Sequence, residues 1–360
     1  MIRFLSTLLL AAAGGALFSL IHCPLPWLLG PMTFAFLGTR AFKLVKPAWP
    51  GATRNIAMLL IGYSFGLSLT SAALTEMGKQ LPAMVLMTVL LMLMCGCVAF
   101  LLSKLTGEPL PTMLMGCVPG GLSQMLLMAE DTEGINLTTV MFMQLSRTVL
   151  NLLAVPLLIF SPVFGGLHSS VGAGSAGGAW GDLLHHGALF AVACVGAALL
   201  AQKVRMPTAY LLGPMIATAA LHLSGVHGPS LPHPLLSIAQ LLIGTYVGLL
   251  IKPDQLKNKT RTLGLAILSG CTIIAGSLGL STVLTQLHAI SAATSFLSLA
   301  PGGLDQMGLV AREVHADLAI VSCYQLFRIW FIYLAVTPLM RAVLKRRTRS
   351  ASAEKALHGA

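Results

Sequence analysis

Pro119-Gly120-Gly121-Leu122-Ser123-Gln124-Met125 returns as Pro301-Gly302-Gly303-Leu304-Asp305-Gln306-Met307, 182 positions further on. Each copy lies inside an apolar segment. Proline lacks a backbone donor and cannot continue a helix, and paired glycines disfavour one, so a helix is expected to break at both places. Inside a bilayer a break is costly unless protein covers the freed backbone groups or they line a wet cavity. Breaks at matching positions in two halves of a chain point to the binding site of a transporter.

Composition puts those segments in a membrane. The 360 residues are 56% hydrophobic and 9% charged, with a mean hydropathy of +0.85, against roughly 25% charge in a soluble domain. The net charge of +11 fits Lys and Arg on cytoplasmic loops better than a nucleic-acid surface. Seven Cys with no C-x-x-C pair argue against a disulfide framework or a zinc site, and read as small apolar fillers.

More than the Pro-Gly-Gly motif repeats. Leu28-Leu29-Gly30-Pro31-Met32 matches Leu211-Leu212-Gly213-Pro214-Met215, and Leu59-Leu60-Ile61-Gly62 with Gly66 matches Leu241-Leu242-Ile243-Gly244 with Gly248. Gln144, Arg147 and Pro156 match Gln325, Arg328 and Pro338. The doubled Leu-Leu-Gly-Pro-Met reads as a place of close helix packing. Each half holds six apolar segments: 4–21, 26–39, 55–74, 81–102, 113–128 and 137–160, then 183–201, 207–222, 235–251, 263–285, 289–310 and 316–343. The first resembles a signal peptide, but its counterpart in the second half makes it a retained span. The divisions expected are a first membrane repeat, 1–160; a Gly/Ser-rich linker, 161–182; a second repeat, 183–345; and a basic cytoplasmic tail, 346–360.

Charge sets the expected topology. If the two Pro-Gly-Gly segments enter and leave on the same side, each half has about five spans plus one broken or re-entrant helix. With the N-terminus in the cytoplasm, 18 of the 22 Lys and Arg then lie inside, only Lys79 and Arg312 outside, and Arg147 and Arg328 within the membrane. The positive-inside rule favours this arrangement over twelve full spans. Five is odd, so the second half is expected to be inverted. The fold class is thus an all-α polytopic membrane protein of two homologous halves arranged as inverted repeats.

Few residues carry chemistry. A charge near the bilayer centre costs at least ~2.5 kcal/mol and marks a functional site or a satisfied internal contact. Arg147 and Arg328 are therefore either solute ligands or glue against the helix-end carbonyls of a broken neighbour. Gln144 and Gln325 share their helix faces. Helix ends at the breaks offer N–H groups to anions and carbonyls to cations. Gly120, Gly121, Gly302 and Gly303 would let backbone approach a solute, with Ser123, Gln124, Asp305 and Gln306 on the same turns. The copies differ most at Ser123 against Asp305; that carboxylate could pair with Arg, hold Na+ or carry a proton. No nucleotide, zinc-protease or hydrolase motif occurs.

The doubled Pro-Gly-Gly-Leu-x-Gln-Met, Leu-Leu-Gly-Pro-Met and Gln-Leu-x-Arg resemble the AbrB family of bacterial inner-membrane proteins, over nearly the whole chain. That family is defined by a duplicated membrane domain. Its members are often labelled regulators or ammonia monooxygenases, and neither label comes with an established mechanism. The family more often has Glu where Gln124 and Gln306 stand. An unrelated small DNA-binding regulator shares the name, and its swapped-hairpin sequence is absent here.

The expected function is secondary transport of a small anionic solute, with the site at the repeat interface and H+ or Na+ as a coupling ion. The alternative is a membrane regulator or sensor acting indirectly on gene expression. Enzymatic activity, a cofactor and a bound metal are not expected. Expected partners are the solute and membrane lipid, with the basic tail on anionic headgroups; direct nucleic-acid binding is not expected, and homo-oligomerisation is left open. The expected location is the bacterial inner membrane, both termini cytoplasmic.

Overall fold

A computed structural model of the chain describes residues 2–21, 23, 25–41, 49–119, 125, 129, 135–161, 183–204, 206, 208–250, 259–288 and 290–340. The linker 162–182 and the tail 341–360 lie outside the described residues. Among the described residues all regular structure is helical: α1 (Ile2–Leu20), α2 (Pro26–Ala41), α3 (Gly51–Ser68), α4 (Ser71–Thr106), α5 (Leu110–Cys117), α6 (Leu137–Ile159), α7 (Leu183–Lys203), α8 (Ala209–Leu223), α9 (His233–Leu250), α10 (Lys259–His288), α11 (Ala292–Leu299), α12 (Leu304–Glu313) and α13 (Leu318–Phe331), the last running into a π-helical turn, Ile332–Val336. Six helices are long and apolar enough to cross a membrane: Arg3–Leu20, Ser71–Thr106, Leu137–Ile159, His233–Leu250, Gly264–His288 and Leu318–Met340. Exposed Leu9, Leu93, Val192 and Leu268 lie on α1, α4, α7 and α10, the faces a bilayer would cover.

One segment boundary differs from the hydropathy reading. The apolar run 55–74 divides at 69–70: α3 ends at Ser68, and the Thr70 side chain accepts the Ala73 N–H as the N-cap of α4. Hydropathy alone does not register a hydroxyl that stops one helix and starts the next.

The core is built on glycines packed against backbone. In the hairpin of α1 and α2, a Cβ on Gly14 would stand 2.5 Å from the Gly30 carbonyl oxygen; in that of α7 and α8, one on Gly213 would stand 2.6 Å from the Ala197 oxygen. The two hairpins are joined crosswise. On α3, Gly62 abuts the Leu211 carbonyl and Gly66 that of Met215, both on α8; on α9, Gly244 abuts the Leu28 carbonyl and Gly248 that of Met32, both on α2. So the Leu-Leu-Gly-Pro-Met stretches are places of close helix packing, and the faces that dock on them are the small-xxx-small faces of α3 and α9. Between membrane helices, where lipid removes the hydrophobic drive, close approach of this kind supplies the attraction. Each half's third helix thus packs on the second helix of the other.

The broken segments come next. α11 ends at Leu299, Ala300 is extended (ψ 134°), and Gly303, also extended, caps the start of α12. α5 ends at Cys117 and Val118 is likewise extended (ψ 127°). The chain then returns to where it entered: the Asp317 N–H, at the start of α13, donates to Thr294 Oγ1 on the first turn of α11 at 3.1 Å. The Asn136 N–H, at the start of α6, donates to Thr112 Oγ1 on α5 at 3.2 Å. Asn136 and Asp317 are themselves N-caps, accepting from the N–H groups of Thr139 and Ile320, so each fixes both the start of its long helix and the exit of its broken one.

Candidate functional site at the helix breaks

The carbonyls freed at each break are collected by one Gln and one Arg from the helix behind it. Gln144 Nε2 donates to the Met115 and Val118 oxygens, the latter at 3.0 Å; Arg147 Nη1 donates to the oxygens of Gly116 (3.2 Å), Cys117 (3.0 Å) and Val118 (3.0 Å), and its Nη2 to Gln144 Oε1 (2.6 Å). In the second half Gln325 Nε2 donates to the oxygens of Leu297, Ser298 and Ala300; Arg328 donates to those of Leu299 (3.4 Å), Ala300 (2.8 Å) and Gly302 (2.7 Å), and to Gln325 Oε1. All four side chains are buried. The cationic forks sit on the C-terminal ends of α5 and α11, where partial negative charge gathers. This is the glue arrangement; no described acidic side chain forms an ion pair with either Arg, the single such bridge among the described residues being Lys79 with Glu76.

One residue that sequence reasoning passed over connects the two breaks. Asn151, one turn after Arg147 on α6, is fully buried, and its Nδ2 donates to the Pro301 carbonyl oxygen at 2.6 Å. A single turn of α6, rising ~5.4 Å, therefore holds Val118 of the first break and Pro301 of the second. Reciprocally Ile332, at the equivalent point after α13, packs with Met115 and Val118. The signal was present as a buried-type polar residue i+4 from Arg147, but comparison of the repeats hid it, because the matching residue in the second half is the apolar Ile332.

Of the other residues expected here, Gly120, Gly121, Ser123 and Gln124 lie outside the described residues. Gly302, Gly303 and Asp305 are half-buried and Gln306 is buried. Asp305 occupies the first turn of α12, where a negative charge is favoured by the helix dipole. Gly303 has an ordinary φ of −78°, so its lack of a side chain serves space rather than backbone: a Cβ there would strike Asp305 Oδ1. Gly303→Ala is accordingly expected to change the melting temperature little, by less than about 1 kcal/mol of stability, while displacing the carboxylate; a ligand titration on the same preparation checks the second effect. Among the described residues no group of three His, Cys, Asp or Glu is placed to hold a metal ion.

Comparison with known proteins adds a family. The model described as Transition state regulatory protein AbrB matches residues 1–119 and 27–344. A Bacillus subtilis (strain 168) protein named "Uncharacterized protein YhjN" is 26% identical over 356 residues, covering 92% of this chain and 91% of its own length. An Escherichia coli (strain K12) protein named "Putative regulator AbrB" is 27% identical over 327 residues, covering 91% and 92%.

Proposed function

The chain belongs to the AbrB family, and we propose that it is an inverted-repeat secondary transporter of a small anionic solute, bound where the two broken helices meet. The observation that carries this reading is the turn of α6 that holds both breaks at once, Arg147 on Val118 and Asn151 on Pro301. Two helices interrupted at one place in a membrane protein, with their freed backbone gathered rather than left to lipid, are the architecture of an ion- or solute-binding centre.

Helix directions support the inversion. Gly62 and Gly66 meet Leu211 and Met215 in the same order, so α3 and α8 run the same way; Gly244 and Gly248 meet Leu28 and Met32 in order, so α2 and α9 do too. Arg54, in the first turn of α3, lies over the ring of Tyr246 near the end of α9, 5.0 Å from its centroid. A contact between the start of one helix and the end of the other supports opposite directions for α3 and α9, and with them for the equivalent helices α2 and α8. The return of each broken segment to its side of entry, leaving an odd number of spans per half, supports the same reading.

The anionic preference rests on the two buried guanidinium groups; the two helix C-termini and Asp305 offset them to near neutral, so an anion is accommodated together with a coupling cation. Uptake into liposomes by the purified protein is the test, with small carboxylates, phosphate and sulfate as solutes chosen by the melting shift each produces. Saturable uptake of one of them is expected; a panel without a shift and without uptake overturns the proposal. In the same reading the protein lies in the bacterial inner membrane with both termini cytoplasmic and 161–182 periplasmic. A single Cys in that linker, in a background freed of the exposed Cys97 and Cys271, is expected to react with an impermeant maleimide in intact cells. Labelling only after lysis defeats the inversion.

The name of the Escherichia coli relative favours a second reading, a membrane regulator or sensor acting indirectly on gene expression. It predicts a transcriptional phenotype on deletion and solute binding without uptake.

A further inference from the structure

We propose that Asp305, Gln306 and Asn151 form a sodium-ion site at the second break. The proposal rests on the transporter reading only for the role of the ion, which would be the coupling cation; binding itself is measurable without transport.

Two side-chain amide oxygens at this break lack the partners that buried oxygens normally find. Gln306 is 5% exposed and Asn151 is 0% exposed, and both side-chain oxygens, Oε1 and Oδ1, are buried without a hydrogen-bond partner. Asn151 cannot turn away, because its Nδ2 is held on the Pro301 oxygen at 2.6 Å. Asp305 adds a carboxylate. Its Oδ1 occupies the space above Gly303, and the Gln306 amide carbon lies 3.9 Å from the point where a Gly303 Cβ would stand. The three side chains therefore meet the same short stretch, 301–306. Amide oxygens that are both desolvated and unpaired are rare in folded proteins and call for an explanation, a bound ion or water among them.

The surrounding cations do not fill the place. Arg328 directs its fork to carbonyls and Gln325, Arg312 donates to Ser64 on α3, and Arg54 lies over Tyr246. Asp305 forms no ion pair among the described residues. Its carboxylate accepts backbone N–H groups, that of Gln306 among them, and the charge acting on it through space is Arg54.

The chemistry of the donors selects the ion. All are oxygens, which suits a hard cation, and only one is charged, whereas divalent ions are held by several carboxylates. A proton would satisfy Asp305 but leave the two amide oxygens as they are. Charge arithmetic agrees. Two guanidinium groups are offset by about half a negative charge from each of the α5 and α11 C-termini and by Asp305, leaving the centre near neutral. A bound Na+ then restores a positive charge that an anionic solute can neutralise, so each favours the other. The first break has Ser123 where the second has Asp305, so one cation per chain is expected.

The test is thermal unfolding of the full-length protein in detergent, with NaCl exchanged for KCl or choline chloride at constant ionic strength. Na+ is expected to raise the melting temperature saturably and choline not at all. Asp305→Asn is expected to abolish the effect, and Asn151→Ala to weaken Na+ binding roughly tenfold or more. The remote variant Glu76→Gln is expected to keep it. Gel filtration identifies a variant that has lost its fold, and the Asn151 variant decides the case if Asp305→Asn is one. An equal response to K+, or an Na+ response unchanged in both variants, overturns the site. Solute uptake indifferent to Na+ overturns the coupling alone, and Na+ binding without uptake of any anion keeps the site and defeats the transporter reading.

Discussion

Arg328→Leu and Arg147→Leu are each expected to destabilise the protein by about 3 kcal/mol, before any effect on a ligand is considered. Without Arg328, the Leu299 and Gly302 oxygens and Gln325 Oε1 lose their side-chain donor; without Arg147, the Gly116 and Cys117 oxygens and Gln144 Oε1 do. An orphaned buried acceptor costs about 1–3 kcal/mol. Removing a charge from the membrane interior returns at least ~2.5 kcal/mol. Three orphans outweigh that return, so the net effect is a loss. The Val118 and Ala300 oxygens are spared, because Gln144 and Gln325 also reach them. Lysine keeps the charge but replaces a planar fork with a single point of donation, so Arg147→Lys and Arg328→Lys should lose roughly half as much. Melting in detergent measures all four. An unchanged melting temperature with lost solute affinity would mean that these side chains contact the solute instead.

The second large effect concerns the crossed packing of the halves. Gly62→Val and Gly244→Val drive a branched side chain into the Leu211 and Leu28 carbonyls. Backbone inside a helix cannot step aside as a side-chain tip can, so the helices must separate. Overpacking of a core costs about 1–3 kcal/mol, occasionally more, and here it also forfeits the contact that joins the halves. Loss of the folded protein's peak on gel filtration is the expected outcome for both. Gly196→Ala and Gly264→Ala are the controls. Nothing lies within 4 Å of a Cβ at either glycine, so alanine should leave stability unchanged or raise it by up to ~1 kcal/mol. Similar behaviour of all four variants would disprove the role assigned to the glycine faces.

The part of this protein legible in its sequence is the part that depends on local backbone chemistry. Pro301-Gly302-Gly303 ends a helix wherever it stands, and the composition admits few environments for such helices other than a bilayer. The Gly-Pro of Leu28-Leu29-Gly30-Pro31-Met32 announces close helix packing, and its return in Leu211-Leu212-Gly213-Pro214-Met215 announces it twice. The tertiary structure alone decided who meets whom. Arg147 and Arg328 could have turned to Asp305, to a solute or to helix-end carbonyls; they turn to the carbonyls, a choice among readings that backbone oxygens, carrying no residue identity, could not decide in the sequence. Asn151 bridges to the other half across 150 positions, a contact set by how α6 lies between two breaks. Its counterpart Ile332 could not reveal it. Local rules reach about one turn of helix, whereas the centre of this protein is assembled from segments that only the fold brings together.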